Sequence, residues 1–213
     1  MSPTLFVRLL VIAVGLATLG GCGALSAVSG ATEDLDAYTL GPVTTERRFG
    51  AAGGHLIVEE PTASGALATD RILVKPNRLQ AQYLPGARWV DPAPALIQTL
   101  LLQSLENAGG FRLVGRQAMG LTPDYTLMTE VRDFQAEGAP SGGGPDLNVR
   151  VGLIMTLIRE SDRSIVATRR IESVVATPSS APLSLVSAFD AALSSALLDV
   201  ITWTAASVRA GAS

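Results

Sequence analysis

Few residues in this chain have side chains suited to covalent or acid–base chemistry. There is one cysteine, Cys22, and one histidine, His55. A lone thiol cannot close an internal disulfide. His55 opens the apolar stretch HLIVEEP with no nucleophile near it in sequence, so it reads as a surface or strand-edge residue. The carboxylates at Glu59, Glu60 and Asp70 sit alone on expected loops. Acid–base work needs two such groups at a matched distance in a cleft, so these read as solvated charges. No G-x-S-x-G nucleophile turn occurs. The SGGGPD stretch at residues 141–146 is glycine-rich, but a phosphate loop needs a helix after it and a Lys-Ser/Thr pair. Another strand pattern follows here, so a hairpin loop is expected. The pairs Arg47–Arg48 and Arg169–Arg170 read as exposed charge. No catalytic residue, metal-ligand set or cofactor site is predicted.

The remaining reactive group is the Cys22 thiol, and its position suggests a use. Arg8 is the only charged side chain before residue 33, and an apolar run, LLVIAVGLATL, follows it. That run has the length of a signal-peptide core. A membrane span needs roughly 20 apolar residues, which is reached here only by counting the small residues beyond Leu19. The run meets LGGC at residues 19–22, which resembles the lipobox of bacterial lipoproteins. Small residues let a signal peptidase approach the backbone, and the thiol accepts the diacylglycerol. Cys22 is therefore expected to be the lipidation site and the mature N-terminus. The alternatives are a single-pass anchor with an incidental cysteine, or a buried structural cysteine. A histidine–cysteine zinc set is excluded if Cys22 is acylated. Gly23 follows where an Asp would favour inner-membrane retention, so the outer membrane is expected. Several acyl chains give stable anchoring where one would be marginal.

The whole chain has 213 residues, 47% hydrophobic and 16% charged, which suits one folded domain with a tail. Its 16 Lys+Arg against 19 Asp+Glu show no basic excess, so no nucleic-acid partner is expected. Three segments are predicted: a signal peptide at 1–21, a tether of small and polar residues at 22–36, and a single domain at 37–213.

Within that domain, AYTLGP, HLIVEEP and RILVKP read as short strands, each closed by a proline. Asp91 is the expected N-cap of a helix with Pro92 at its first helical position. Leu96, Ile97, Leu100, Leu101 and Leu105 form its apolar face, and Gly109–Gly110 end it. FRLVG reads as a strand. Residues 124–137, 147–160 and 165–178 alternate apolar and polar side chains, which predicts an antiparallel meander. A long final helix carries Val186, Phe189, Leu193, Leu197 and Val200 on one face, with Trp203 as core or a cap on the sheet. The expected fold class is α/β (α+β): a mainly antiparallel sheet with two helices on one face.

One stretch, RILVKPNRLQAQYLPGARWVDPAPALIQTLLLQSLENAGGFRLVGRQ, combines an I-L-V-x-P strand, an R-W-x-D-P helix entry and F-x-x-V after the helix. PDYTLMTEVRDFQAE and a last helix after VVATP follow. In this order they resemble the ABC-type transport auxiliary lipoproteins, partners of MCE (mammalian cell entry) transport systems in Gram-negative bacteria. The likeness runs from YTLGP to the final helix. It departs in having only residues 77–87 between the I-L-V-x-P strand and Arg88–Trp89, where many relatives have more. The resemblance implies a TolB N-terminal-like fold and no catalytic site or cofactor. It also implies docking to an MCE-domain protein that works with an inner-membrane permease and ATPase to move lipids between membranes. A homo-oligomer ringing a conduit is compatible with it.

From the residues themselves, Arg88 and Trp89 stand out as partner-binding candidates, with Tyr83 and Leu84 in an expected loop beside them. Trp89 before a helix is either a core plug or an exposed anchor. Arg88 pairs either with Asp91 or with a partner carboxylate. Two other functional readings remain at this point: a stand-alone lipid- or ligand-binding lipoprotein, whose cavity the apolar face of residues 147–157 would line, and an envelope hydrolase, for which no nucleophile–base pair is found.

Overall fold

The structure is a computed structural model that describes residues 35–45, 54–117, 120–138, 147–177 and 179–211. Cys22 and its lipobox, the tether through residue 34, Arg47–Arg48 and the loop at residues 141–146 lie outside the described residues. Chain contacts divide the protein into Met1–Leu35 and Asp36–Ser213, and every element below belongs to the second unit.

In chain order the elements are β1 (Asp36–Tyr38), β2 (His55–Val58), β3 (Thr62–Ala63), β4 (Arg71–Asn77), β5 (Gln80–Trp89), α1 (Ala93–Ala108), β6 (Leu113–Gly115), β7 (Tyr125–Gly138), β8 (Leu147–Arg159), β9 (Ser164–Thr177) and α2 (Pro182–Gly211). The last three strands make the expected meander. β7 pairs antiparallel with β8, from Tyr125 opposite Arg159 to Gly138 opposite Leu147. β8 then pairs antiparallel with β9 along its whole length. On β8, Val149, Val151, Leu153, Met155 and Leu157 are fully buried, while Ile154, Thr156 and Ile158 look outward and are half-buried.

The alternation on β7 changes phase part-way. Leu127, Thr129 and Val131 are buried, and then Phe134 and Ala136 are. Val131 lies opposite Leu153 and Asp133 opposite Gly152, so Arg132 is an extra residue on β7. Such a bulge shifts the inward positions by one.

The other side of β7 is parallel. β2, β3 and β4 lie along it in succession, with Leu56 opposite Tyr125, Thr62 opposite Glu130, and Leu73 opposite Gln135. β6 extends the sheet beyond β2, while β5 and then β1 extend it beyond β4. The long pairings are antiparallel as expected. The short N-terminal strands are parallel because each runs along β7 in the same direction and hands over through a connection.

Both helices are amphipathic, as the spacing predicts. Leu96, Ile97, Leu100, Leu101 and Leu105 of α1 and Val186, Phe189, Leu193, Leu197 and Val200 of α2 are buried in one hydrophobic cluster with the inward strand residues. Trp203 is buried there too. α1 packs on β2 and β6, α2 on β8 and β9, and the helices touch each other. They therefore cover a single face of the sheet. α2 is long and apolar enough to cross a membrane, but its apolar face is committed to the core.

Two helix-end details refine the expectation. The N-cap of α1 is Pro92, not Asp91. Pro92 has an extended ψ of 138°, no side chain caps the first turn, and the Pro92 carbonyl accepts the Leu96 N–H at 3.0 Å. At the other end Gly109 adopts a φ of 66° and donates its N–H to the Glu106 carbonyl at 3.1 Å. That conformation favours glycine.

The larger correction concerns residues 77–87. They form mostly strand β5, not a loop, and Pro76 does not end β4. The chain reverses at Arg78–Leu79. There Asn77 Oδ1 accepts the Leu79 N–H at 3.0 Å, and its amide Nδ2 donates to Gln80 Oε1 at 3.1 Å. β5 is irregular against β4, with Leu73 opposite Tyr83 but Arg71 opposite Arg88. The extra residues include Pro85 and Gly86, and Gly86 has a φ of 66°. That Pro-Gly pair looks like a turn in sequence and conceals a strand running through it.

Candidate functional site

The four residues singled out for partner contact all lie on β5, and the fold divides them. Trp89 is 1% exposed. Its ring lies 5.5 Å from that of Phe134 and 5.2 Å from that of Phe189, edge-on to the latter, and the two phenylalanines are 5.0 Å apart. These spacings and tilts are favourable for aromatic packing. Trp89 is thus a core plug joining β5, β7 and α2, and it presents no side chain to a partner. Leu84, at 7% exposed, is likewise core.

Arg88 and Tyr83 stay at the surface. Arg88 pairs with Asp70 at 3.5 Å, not with Asp91, because β5 and β4 bring residue 88 beside the start of β4. Its guanidinium also donates to its neighbour's carbonyl, that of Trp89, at 3.1 Å. Tyr83 is 38% exposed, and the Arg71 guanidinium lies over its ring at 5.5 Å, a cation–π distance. From residue 76 to residue 83 every side chain is exposed.

His55 is buried as the first residue of β2, not exposed at the surface or a strand edge as expected. β2 is flanked by β6 and β7, which encloses its first residue. The His55 backbone N–H donates to Asp124 Oδ2 at 2.7 Å, but neither ring nitrogen has a hydrogen-bond partner among the described residues. A general base must reach the proton it takes, and nothing described offers one here. No group of three metal-ligating side chains occurs among the described residues.

The outward face of the meander carries a charge ladder. Arg150 on β8 bonds Glu137 on β7 at 3.1 Å and Glu172 on β9. The Glu137 hydrogen bond is the main cause holding the Arg150 guanidinium above its ordinary pKa. Arg170 reaches Asp133 at 3.6 Å and Glu172 at 3.3 Å. Further along this face is a groove of about 350 Å³ floored by Met128, Ile154, Ile158 and Ile165 and edged by Glu59, Glu60 and Glu130. Sequence reasoning missed it. The available signal was the pair Ile154 and Ile158, apolar residues on the half of the β8 alternation that faces away from the helices.

A match to the ABC-type transport auxiliary lipoprotein component family covers residues 38–200. The chain belongs to this family. The auxiliary lipoprotein is 31% identical over 156 residues to the uncharacterized protein bll6063 of Bradyrhizobium diazoefficiens, which covers 72% of this chain. The match spans only 40% of that relative's length. Among solved structures, protein XCC0632 of Xanthomonas campestris, of family DUF330, superposes with a TM-score of 0.73 at 22% identity, over 84% of this chain and 98% of its own. A second uncharacterized protein gives a TM-score of 0.59 at 15% identity, over 78% of this chain and 99% of its own. These likenesses establish the fold. The family is one of lipoproteins auxiliary to ABC-type transport, so its members belong to the cell envelope.

Proposed function

We propose that this auxiliary lipoprotein is a non-catalytic docking subunit of an MCE-type ABC system that moves lipids between the inner and outer membranes. It faces the periplasm, held in the outer membrane by acyl chains on Cys22 after removal of residues 1–21, with residues 22–36 as the tether. The observation that carries this reading is the family match over residues 38–200. The LGGC motif followed by Gly23 supports the anchor and its membrane. In this reading the lipoprotein is non-enzymatic, with energy and transport supplied by the permease and ATPase. Tyr83 and Arg88 are the remaining candidates from β5 for contact with the MCE-domain protein.

A stand-alone lipid carrier is less well supported. The face that would line its cavity, Val149 to Leu157, is filled by packing in the common core.

The test is affinity purification of the crosslinked native protein from envelopes, with mass spectrometry of its partners and its N-terminal peptide. The expected result is a peptide beginning at acylated Cys22, together with an MCE-domain protein. An acylated peptide with stoichiometric lipid and no transporter component would favour the carrier. An unmodified N-terminus would overturn the anchor, and Cys22→Ser should abolish acylation and release the chain from the membrane.

A further inference from the structure

Two surfaces at opposite ends of β7 are chemically matched. The first is the tip of the β4–β5 hairpin. Leu79 is 96% exposed there. Beside it Arg78 is exposed and has no ion pair among the described residues. The Asn77 hydrogen bonds fix the turn, so the cation and the leucine are presented on a defined backbone.

The second surface is the groove on the outward face of β7, β8 and β9. Ile165, 66% exposed, and Met128 leave apolar area open to water. Glu59 and Glu60 are exposed on its edge without ion pairs among the described residues, and Glu130 has only Arg132 from its own strand, at 3.0 Å. The groove therefore calls for an apolar side chain accompanied by a cation, which is what Arg78–Leu79 offers.

The two cannot meet within one molecule. β4 runs parallel to β7, and Lys75 lies opposite Glu137, whereas the groove is at Met128 to Glu130. That is about seven residues of strand, roughly 23 Å at ~3.3 Å per residue. The tip also continues past Glu137, away from the groove.

We propose that the hairpin tip of one copy seats in the groove of the next, with Leu79 among Met128, Ile154, Ile158 and Ile165 and Arg78 against Glu59 and Glu60. Because two different surfaces join, the contact is heterologous. It closes into a ring or extends as a row according to the rotation between copies. Groove-to-groove pairing would set carboxylates against carboxylates, and an anionic lipid surface meets the same repulsion. The assembly goes beyond the transport reading and does not depend on it.

The contact is small beside a free-standing interface, so a covalent trap is the suitable test. The full-length chain carrying Leu79→Cys and Ile165→Cys together is treated in envelopes with a short bismaleimide. A ladder of dimers and higher species is expected, with little from either single variant or from the wild type, which carries only Cys22. Arg78→Glu should reduce the ladder at least tenfold, and adding Glu59→Arg and Glu60→Arg should restore it. As a check free of these substitutions, a photoreactive benzoyl-phenylalanine at Leu79 in a mixture of isotope-labelled and unlabelled chains should crosslink to the groove strands of another copy. Absence of a ladder, indifference to Arg78→Glu, crosslinking only between like positions, or capture of a different protein in the groove would each overturn the proposal.

Discussion

The two ends of β5 differ in their strand neighbours and in their exposure to water. At the Trp89 end the strand has neighbours on both sides, with Tyr38 of β1 opposite Trp89 and Arg71 of β4 opposite Arg88. The Trp89 N–H donates to the Asp70 carbonyl at 2.7 Å, and the indole is sealed between Phe134 and Phe189. At the Gln80 end only β4 remains, β7 having stopped pairing at Lys75, and every side chain is exposed. Tyr83 and Trp89 are six positions apart, yet one is partly in water and the other is buried in the core. Residues of partner-binding type therefore do not share a role because they share a segment. The sheet neighbours decide which of them is free.

The sharpest way to break this contrast is substitution at each end. Trp89→Ala should cost about 3–5 kcal/mol in urea unfolding, as large aromatic truncations do, while Tyr83→Ala should cost under about 1 kcal/mol. Comparable losses would contradict the division. The base of the hairpin comes next. A Cβ on Gly138 would lie 2.4 Å from the Pro76 carbonyl oxygen, which is backbone and cannot swing aside. Gly138→Ala should therefore destabilise by about 1–3 kcal/mol, read as a lower thermal midpoint. On the exposed face, Arg150→Ala removes the cation between Glu137 and Glu172. A loss of about 1 kcal/mol, shrinking as salt is added, is expected from a partly solvated ion pair.

The smallest effect is at the β8–β9 turn. The Ser164 hydroxyl and backbone N–H both donate to Asp162, and these bonds, hydroxyl first, hold its carboxyl below the ordinary carboxylate range. A depressed carboxylate contributes stability above its unfolded pKa of about 3.9 and loses it as pH falls through the folded value. Asp162→Ala should therefore lower the midpoint slightly at pH 7, and the difference should vanish in acid. A difference that grows in acid would reverse the sign of this account.

Much of this was legible in the sequence, and the parts that were not share a cause. The meander, both helices and their apolar faces follow from periodicity, because Val149 to Leu157 and Leu96 to Leu105 repeat at strand and helix spacing. The parallel pairing of β2, β3 and β4 along one side of β7 was not legible, since two to seven residues carry no record of which neighbour they will find. β5 was hidden by Pro85 and Gly86, which look like a turn. At the candidate site, the types of Trp89 and Tyr83 were informative but their exposure was not, because it is set by β1 and by two phenylalanines distant in sequence. His55 was misplaced for the same reason, being enclosed by β6 and β7.

The most direct test is hydrogen exchange of the full-length protein, resolved by mass spectrometry along β5. Peptides covering residues 87–90 should exchange only through global unfolding, while those covering residues 77–82 exchange far faster through local opening. Equal protection along the whole strand would show that the hairpin is not a free arm, and would contradict the division of β5 into a fixed half and an available one.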